Sequence, residues 1–520
     1  MTNRDTDVLV IGSGLAGCAA ALAAARGGAR VLMLTKQARP EESNTWYAQG
    51  GIIYRGKADS PAALAADIIA AGDGLCNPAA VDLLAREGPR LVDEVLIREA
   101  GVEFDRADDG SGALDLTAEA AHSTARIVHH ADVTGRSIEA AMLAAVGREP
   151  GITLLAGHTA VDLLTLSHHS RNPVDVYALP TCVGAYVFDQ ASRRVGAIMA
   201  RETILATGGL GRIFLHTSNP AGACGDGVAM AYRAGARCIN MQFVQFHPTT
   251  LFVGDERFLL SESMRGEGAL LVDERGREFM RDYHPDGSLA PRDVVARGIH
   301  QMMHETDAPC AYLDISHKGA EWIRARFPRI HERCLEAGID ITVDPIPVVP
   351  AAHYSCGGVA VDEWGRSSLQ RLHAVGEVSC TGLHGANRLA STSLLECLVW
   401  GTRAGRDAAD AIAREGGSYQ PAIDPWKHET EPVDPALVAQ DWLTIRQTMW
   451  NYVGLVRSRK RLDRAHQILR ELHLEIGRFY AAAELSDALI GLRNGIQTAL
   501  VVLLAAIEAR TSAGAHYRID

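Results

Sequence analysis

The 520 residues carry a formal net charge of −12, with 47% apolar and 22% charged side chains. That length exceeds one hydrophobic core and predicts two or three domains, while the composition excludes a chain dominated by disorder. The acidic balance argues against nucleic acid as a partner, so an anionic ligand must be drawn by a local basic pocket and not by the global field.

The opening Met1–Asp7 runs directly into a strand, leaving no room for a leader peptide. Asp7 to Leu34 predicts strand, glycine turn, helix and strand. The apolar run Val8-Leu-Val-Ile11 meets Gly12, an alanine-rich stretch follows, and Val31-Leu-Met-Leu34 closes a βαβ unit suited to a parallel sheet covered on both faces. From about Thr153 to Ala206, short β-rich runs between polar turns predict a meander ending in Arg201–Thr207 and Gly208-Gly209. Between about Asn240 and Pro350 the texture is mixed and loop-rich, and most of the suggestive His and Arg residues fall there. Strand-and-glycine character returns at Cys356–Val361 and lasts to about Gly405. A proline-rich linker (Pro421, Pro425, Pro432, Pro435) then precedes a helical tail from about Asp441. The late apolar run Ala499–Ile507 is too short to span a bilayer, so no membrane partner is expected. The ten cysteines include no C-x-x-C pair; they suggest neither a zinc ribbon nor an iron–sulfur ladder and read as buried thiols of a reducing, cytoplasmic compartment.

Gly12-Ser-Gly14-Leu-Ala-Gly17 is G-x-G-x-x-G between strand and helix. The first glycine permits the tight turn, the second lets the backbone approach a pyrophosphate, and the third lets helix pack on sheet. The helix N-terminus then offers free N–H groups to the phosphates. The second strand ends Leu34-Thr35-Lys36, without the acidic residue that would hold a ribose, so NAD is less favoured and another carboxylate must serve. Asp226 in Cys224-Gly-Asp-Gly227, on a glycine turn opening a helix from Val228 to Ala234, is the candidate; equally, it reads as a plain N-cap.

Further motifs converge. They are Ser43-Asn-Thr-Trp-Tyr-Ala-Gln-Gly-Gly51, Ala206-Thr-Gly-Gly209, Gln245-Phe-His-Pro-Thr249, Arg265-Gly-Glu-Gly268, Pro291-Arg-Asp-Val-Val-Ala-Arg297, His353-Tyr-Ser-Cys-Gly-Gly358, Gly385-Ala-Asn-Arg-Leu-Ala-Ser-Thr-Ser-Leu-Leu-Glu396 and Ser512-Ala-Gly-Ala-His-Tyr517. Together they resemble the succinate dehydrogenase/fumarate reductase flavoprotein family over nearly the whole chain. The resemblance implies an α/β fold class: a Rossmann-like FAD-binding domain in two parts (1–238 and 352–418), an inserted α+β capping domain (239–351) and a C-terminal helical domain (419–520). Asn44 stands where membrane-complex members carry the histidine bonded to flavin, which implies FAD held non-covalently. FAD contacts are expected from Gly12, Ser13, Gly14, Leu15, Ala16, Gly17, Lys36, Asn44, Thr45, Trp46, Tyr47, Ala48, Gln49, Gly50, Gly51, Asp226, Glu377, Ser393 and Leu394. The last pair begins a helix from Leu394 to Gly401 whose N-terminus would face the flavin pyrimidine; Ser393 also reads as that helix's cap.

Within the family the chain is most similar to members that oxidise L-aspartate. A four-carbon dicarboxylate needs a cationic or hydrogen-bonding group at each end, and arginine's planar fork suits carboxylate best. The family motifs nominate His247, Ser261, Glu262, Arg292, His353 and Arg388, with Arg388 the leading grip on a carboxylate. Arg292 matches the family's proton carrier; the alternative is that it only neutralises Asp293 or a substrate carboxylate. Glu119 is expected to bind the substrate ammonium, although Ala118-Glu-Ala-Ala-His-Ser123 departs from the family's R-E-G-G-H-S and Glu119 also reads as a solvated helix residue. Ser261 replaces the usual threonine and keeps the hydroxyl. The implied reaction converts L-aspartate to iminoaspartate with oxygen or fumarate as acceptor, the first step of NAD biosynthesis, with a quinolinate synthase as functional partner. A soluble fumarate reductase or succinate dehydrogenase-type flavoprotein is the alternative.

Overall fold

The computed structural model describes every residue except 1–3, 58, 108, 109, 120, 255, 256 and 415–420. The boundary expected at 418/419 lies outside the described residues. Strands β1 (Arg4–Ile11) and β2 (Val31–Leu34) flank helix α1 (Leu15–Arg26), as the apolar runs on either side of the glycine turn dictate. There follow β3 (Ile152–Leu155), β4 (His158–Thr165), β5 (Cys182–Asp189), β6 (Arg194–Leu205), α2 (Asp226–Arg233), β7 (Val244–Leu251) and β8 (Leu270–Val272). Next are α3 (Arg292–Thr306), β9 (Ala311–Asp314), β10 (Ile346–Ser355), β11 (Leu372–Ala374), α4 (Thr392–Arg414), α5 (Pro435–Val453), α6 (Arg459–Ala482) and α7 (Asp487–Glu508).

In the described residues a seven-stranded sheet runs β3-β2-β1-β6-β5-β4, with β11 added beside β6. The meander is β4-β5-β6, all antiparallel, whereas β3 pairs parallel with β2 and belongs to the nucleotide-binding half. β6 is long enough to serve both halves. Its first residues pair with β5, its last with β11, and its other edge runs parallel to β1 from Ile198 to Leu205. Gly12 sits at φ +121°, and a Cβ there would lie 2.0 Å from the Ala206 carbonyl oxygen; a Cβ on Gly17 would lie 2.1 Å from that of Gly12. Those two glycines are demanded by packing.

The segment that reads as loop-rich folds into an antiparallel sheet, β7-β10-β9-β8, over a core that includes Leu251, Phe279, Val295, Ile299, Leu313 and Ile346. The expected boundaries at 238/239 and 351/352 fall within the short strand Cys238–Ile239 and within β10.

Three helices differ from expectation. α4 does not stop at Gly401 but continues to Arg414, because Gly401 and Gly405 face α1: a Cβ at either would lie 2.6 or 2.2 Å from the Ala16 or Ala20 carbonyl oxygen. α5 begins at Pro435, with Asp434 capping Ala436 N–H, so this proline opens the helix at a position where its missing donor costs nothing. The run Ala499–Ile507 is the end of α7, whose 22 residues are long and apolar enough to cross a membrane by length and composition alone; 61% of its most apolar window is buried inside the protein. All ten cysteines are free thiols.

Candidate active site

A cavity of about 900 Å³ runs from the β1–α1 turn to the first residues of α3 and α4. At one end the walls suit a dinucleotide. Gly12, Ser13, Gly14, Leu15 and Ala16 line it, and Gly14 caps α1 without a side chain, which leaves the first-turn amides beyond Leu15 to a ligand. Thr45 Oγ1 accepts the Leu15 N–H at 3.2 Å and so ties the 42–51 loop to that turn. Lys36 Nζ meets Asp226 Oδ2 at 2.6 Å, and Asn494 Nδ2 from α7 donates to Asp226 Oδ1 at 2.9 Å. The N-cap of α2 is Gly225 at φ +79°, not Asp226, whose carboxylate goes to these two partners and not to a helix amide. Burial works to lower the Lys36 pKa, but the Asp226 carboxylate outweighs it and the ammonium is held charged.

Nearer the middle, Asn44 Nδ2 donates to Glu377 Oε2 at 2.7 Å and the Ser355 N–H to Glu377 Oε1 at 3.0 Å. Burial pushes the Glu377 carboxyl up to about 7 against these donors. Gly209 makes room for it, since a Cβ there would stand 2.2 Å from Glu377 Oε1. Thr45, Tyr47, Ala48, Gln49, Gly50, Gly51, Ser393 and Leu394 also line the cavity. Two expected contacts do not. Gly17 lies behind the turn against Gly12, and the Trp46 ring faces Arg136, whose guanidinium carbon sits 5.0 Å from its centroid. A cradle of glycines, a helix start without a side-chain cap of its own and a partly buried cation fit an extended dinucleotide.

The other end gathers the remaining candidates. His247 on β7 and His353 on β10 stand with ring centroids 5.5 Å apart. His247 Nδ1 lies 3.1 Å from the Thr249 carbonyl oxygen, and His353 Nδ1 lies 2.8 Å from Ser218 Oγ. Burial drives both imidazoles well below their ordinary pKa, reinforced by Arg292 and Arg265 at His247 and by Arg388 at His353. Both rings are therefore neutral near pH 7 and act as hydrogen-bonding groups, not cations.

Arg292 opens α3 and pairs with Glu262, which also takes Arg265 Nη2 at 3.0 Å. It does not neutralise Asp293, whose carboxylate belongs to Arg297 at 2.8 Å, because residues at i and i+4 of a helix share a face while i and i+1 do not. Arg388 is 8% exposed; its Nη1 donates to Ser393 Oγ at 3.0 Å, its Nε to Gln245 Oε1 at 3.3 Å, and its guanidinium lies 4.7 Å from the Tyr354 ring centroid. Burial lowers its pKa, and Arg292 adds to this, so each guanidinium feels the other. Burial also works against charge on Arg292, but Glu262 and Glu119 outweigh it and raise its pKa.

Glu119 lies in a loop, not a helix, and accepts the Ser391 hydroxyl at 2.7 Å. Ser261 Oγ accepts the Ser263 hydroxyl at 2.8 Å. Three partners, Gln245, Tyr354 and Ser391, lie inside the sequence motifs yet are not among the residues those motifs nominate. Their position one to three residues from His247, His353 and Arg388 is the signal that could have found them. Arg292 and Arg388 line this end of the cavity together with Glu119 and Glu262, and Arg265 is buried beside Glu262, inside a chain of −12. Guanidiniums and carboxylates in one cavity suit a ligand that itself carries both carboxylates and an ammonium.

Residues 7–394 match the family model described as FAD binding domain, and residues 443–520 the one described as fumarate reductase flavoprotein C-term. The chain is similar to the L-aspartate oxidase of Pseudomonas aeruginosa, 44% identical with 99% of this chain and 95% of the relative covered. It is 43% identical to the L-aspartate oxidase of Halobacterium salinarum, covering 99% and 96%. Among solved structures, a variant E. coli quinol fumarate reductase is similar at TM-score 0.88 and 28% identity, covering 100% of this chain and 92% of that one. Mycobacterium smegmatis Sdh1 is similar at TM-score 0.85 and 30% identity, covering 100% and 89%.

Proposed function

The chain belongs to the succinate dehydrogenase/fumarate reductase flavoproteins, among their L-aspartate oxidases, and from this we infer that it oxidises L-aspartate to iminoaspartate with FAD. Held non-covalently by the residues named below, FAD would supply the two-electron acceptor chemistry, with oxygen or fumarate as the terminal acceptor. The observation that supports the reading best is the meeting of a buried guanidinium, Arg388, a partly buried one, Arg292, and a carboxylate, Glu119, in one cavity. Arg388 and Arg292 are proposed to take the two substrate carboxylates, with His247, His353 and Ser261 as neutral hydrogen-bonding partners. In place of the proton carrier that the resemblance implies, the raised pKa of Arg292 favours a fixed cation held by Glu262. Glu119 is assigned to the substrate ammonium and to the proton that leaves it. Glu377, the 44–51 loop, Lys36, Asp226, Ser393 and Leu394 are assigned to FAD.

With this reading we propose the division into a two-part FAD domain (1–238, 352–418), a capping domain (239–351) and a helical domain (419–520). A cytoplasmic setting and a quinolinate synthase as consumer of the product complete the proposal. The imine hydrolyses in water, so a consumer close by preserves it. Under air, L-aspartate should yield ammonia, from hydrolysis of the imine, and hydrogen peroxide in equal amounts. Peroxide without ammonia, or neither, would overturn the assignment.

A further inference from the structure

We propose that Ser391 is a positioning residue that aims Glu119 at the substrate ammonium and so sets the preference for an amino diacid over a plain diacid. The proposal rests on the reading of Glu119 given above. Ser391 lies between Arg388 and α4 and is 8% exposed, and its hydroxyl donates to Glu119 Oε2 at 2.7 Å. It does so from φ +58°, in the left-handed region that a serine rarely occupies. Glu119's other oxygen lies against Gly50, where an added Cβ would stand 2.7 Å from Oε1. One oxygen is thus engaged by a hydroxyl, and the loop facing the other has been left bare. The carboxylate is fixed in a single orientation with lone pairs remaining for an N–H donor.

Glu119's loop is anchored from behind. Arg126 is 0% exposed and pairs with Asp59 at 3.0 Å and with Asp67, and His122 Nε2 meets the Ala390 carbonyl oxygen at 3.1 Å. Ala390 and Ser391 therefore grip the loop at two points, and both follow closely on Arg388. The group proposed for a substrate carboxylate and the group proposed for its ammonium share one frame. A strained backbone at a hydrogen-bonding serine, beside a glycine that clears space for the same carboxylate, is more than capping requires.

The test uses the holoenzyme and two half-reactions: anaerobic flavin reduction by L-aspartate, and reoxidation of the reduced flavin by fumarate, which has no amine. Ser391→Ala should lower kcat/KM for L-aspartate at least tenfold more than it lowers that for fumarate. Ser391→Gly relieves the strained φ and should raise Tm, yet show the same selective loss. Gly50→Ala should reproduce the selectivity change by displacing Oε1. Equal losses on both substrates, or full aspartate activity in Ser391→Gly, would overturn the proposal. Glu119→Gln separates the two layers. A selective loss there, with Ser391→Ala unaffected, overturns the role of Ser391 alone; no selective loss in Glu119→Gln overturns the reading beneath it.

Discussion

Arg388 has two polar side-chain partners, one aromatic face and a second guanidinium near enough to depress its pKa, so the site is electrostatically incomplete without an anion. Replacing it removes a buried charge on which the ligand depends, a change that typically costs about 2–5 kcal/mol, or roughly 30- to 5000-fold in kcat/KM. Arg388→Leu should therefore abolish reduction by L-aspartate while leaving flavin bound, since Ser393 alone among its partners is assigned to FAD and the dinucleotide turn is untouched. Loss of flavin together with activity, or retained turnover, would remove it from the clamp. At this scale the sequence is informative wherever a residue sits inside an ordered motif: His247, His353, Arg292 and Arg388 are nominated by their motifs, and all line one cavity. Partners are harder to read. The i, i+4 spacing of Asp293 and Arg297 offers their pairing, but nothing near Glu119 points to Ser391, 272 positions away. Pairings of that kind are settled by the fold.

The same residue type carries opposite meanings in different elements. Gly12 and Gly17 are legible because their spacing sits between a strand and a helix, whereas Gly401 reads as a helix end although it is a close-packing position on a helix that continues. Strand β7 is buried along its whole length and includes Gln245, His247, Thr249 and Thr250, so it shows none of the apolar–polar alternation that identifies a strand with one exposed face. That is why the capping region reads as loop. Two expectations follow for elements. Gly12→Ala would force a Cβ into the Ala206 carbonyl and should eliminate FAD binding, measured as flavin retained after gel filtration; a yellow, fully loaded variant would contradict the packing argument. Arg126→Met leaves Asp59 and Asp67 without their buried partner and should cost about 3–5 kcal/mol of stability in chemical denaturation. A cost below about 1 kcal/mol would show that the loop carrying Glu119 is anchored elsewhere.

Across the whole molecule, the acidic net charge and the local meeting of Arg292 and Arg388 in the cavity are separate facts, and only the first is readable from composition. Helix α7 makes the same point. Its apolarity fits a membrane span by length and composition, while its placement puts Asn494 against Asp226 and Thr498 Oγ1 3.0 Å from the Gly225 carbonyl oxygen, bracing the dinucleotide end of the cavity. Stability should also follow pH through buried histidines. Burial holds His216 down to about 3, and His300 and His516 down to about 4. As pH falls from the ordinary histidine value of 6.5 toward 4, the unfolded chain takes up protons that the folded chain refuses, and stability falls. Glu377, held up to about 7, acts in the opposite sense between its ordinary 4.5 and 7, because there the folded chain binds the extra proton; Glu139, Asp132 and Asp441 are also raised by burial, but among the described residues these four acids stand against eight lowered histidines. The urea midpoint should therefore decrease between pH 6.5 and 4.5. A flat or rising midpoint would show that these rings are accessible to protons in the native state.

The central claim is that two guanidiniums, two neutral imidazoles and one carboxylate gather at one end of the cavity to hold an amino diacid for oxidation. Anaerobic mixing of the yellow holoenzyme with single substrates, followed by flavin absorbance, tests it most directly. L-Aspartate should bleach the flavin, and succinate and D-aspartate should not. Bleaching by succinate alone, or none by L-aspartate, would contradict it.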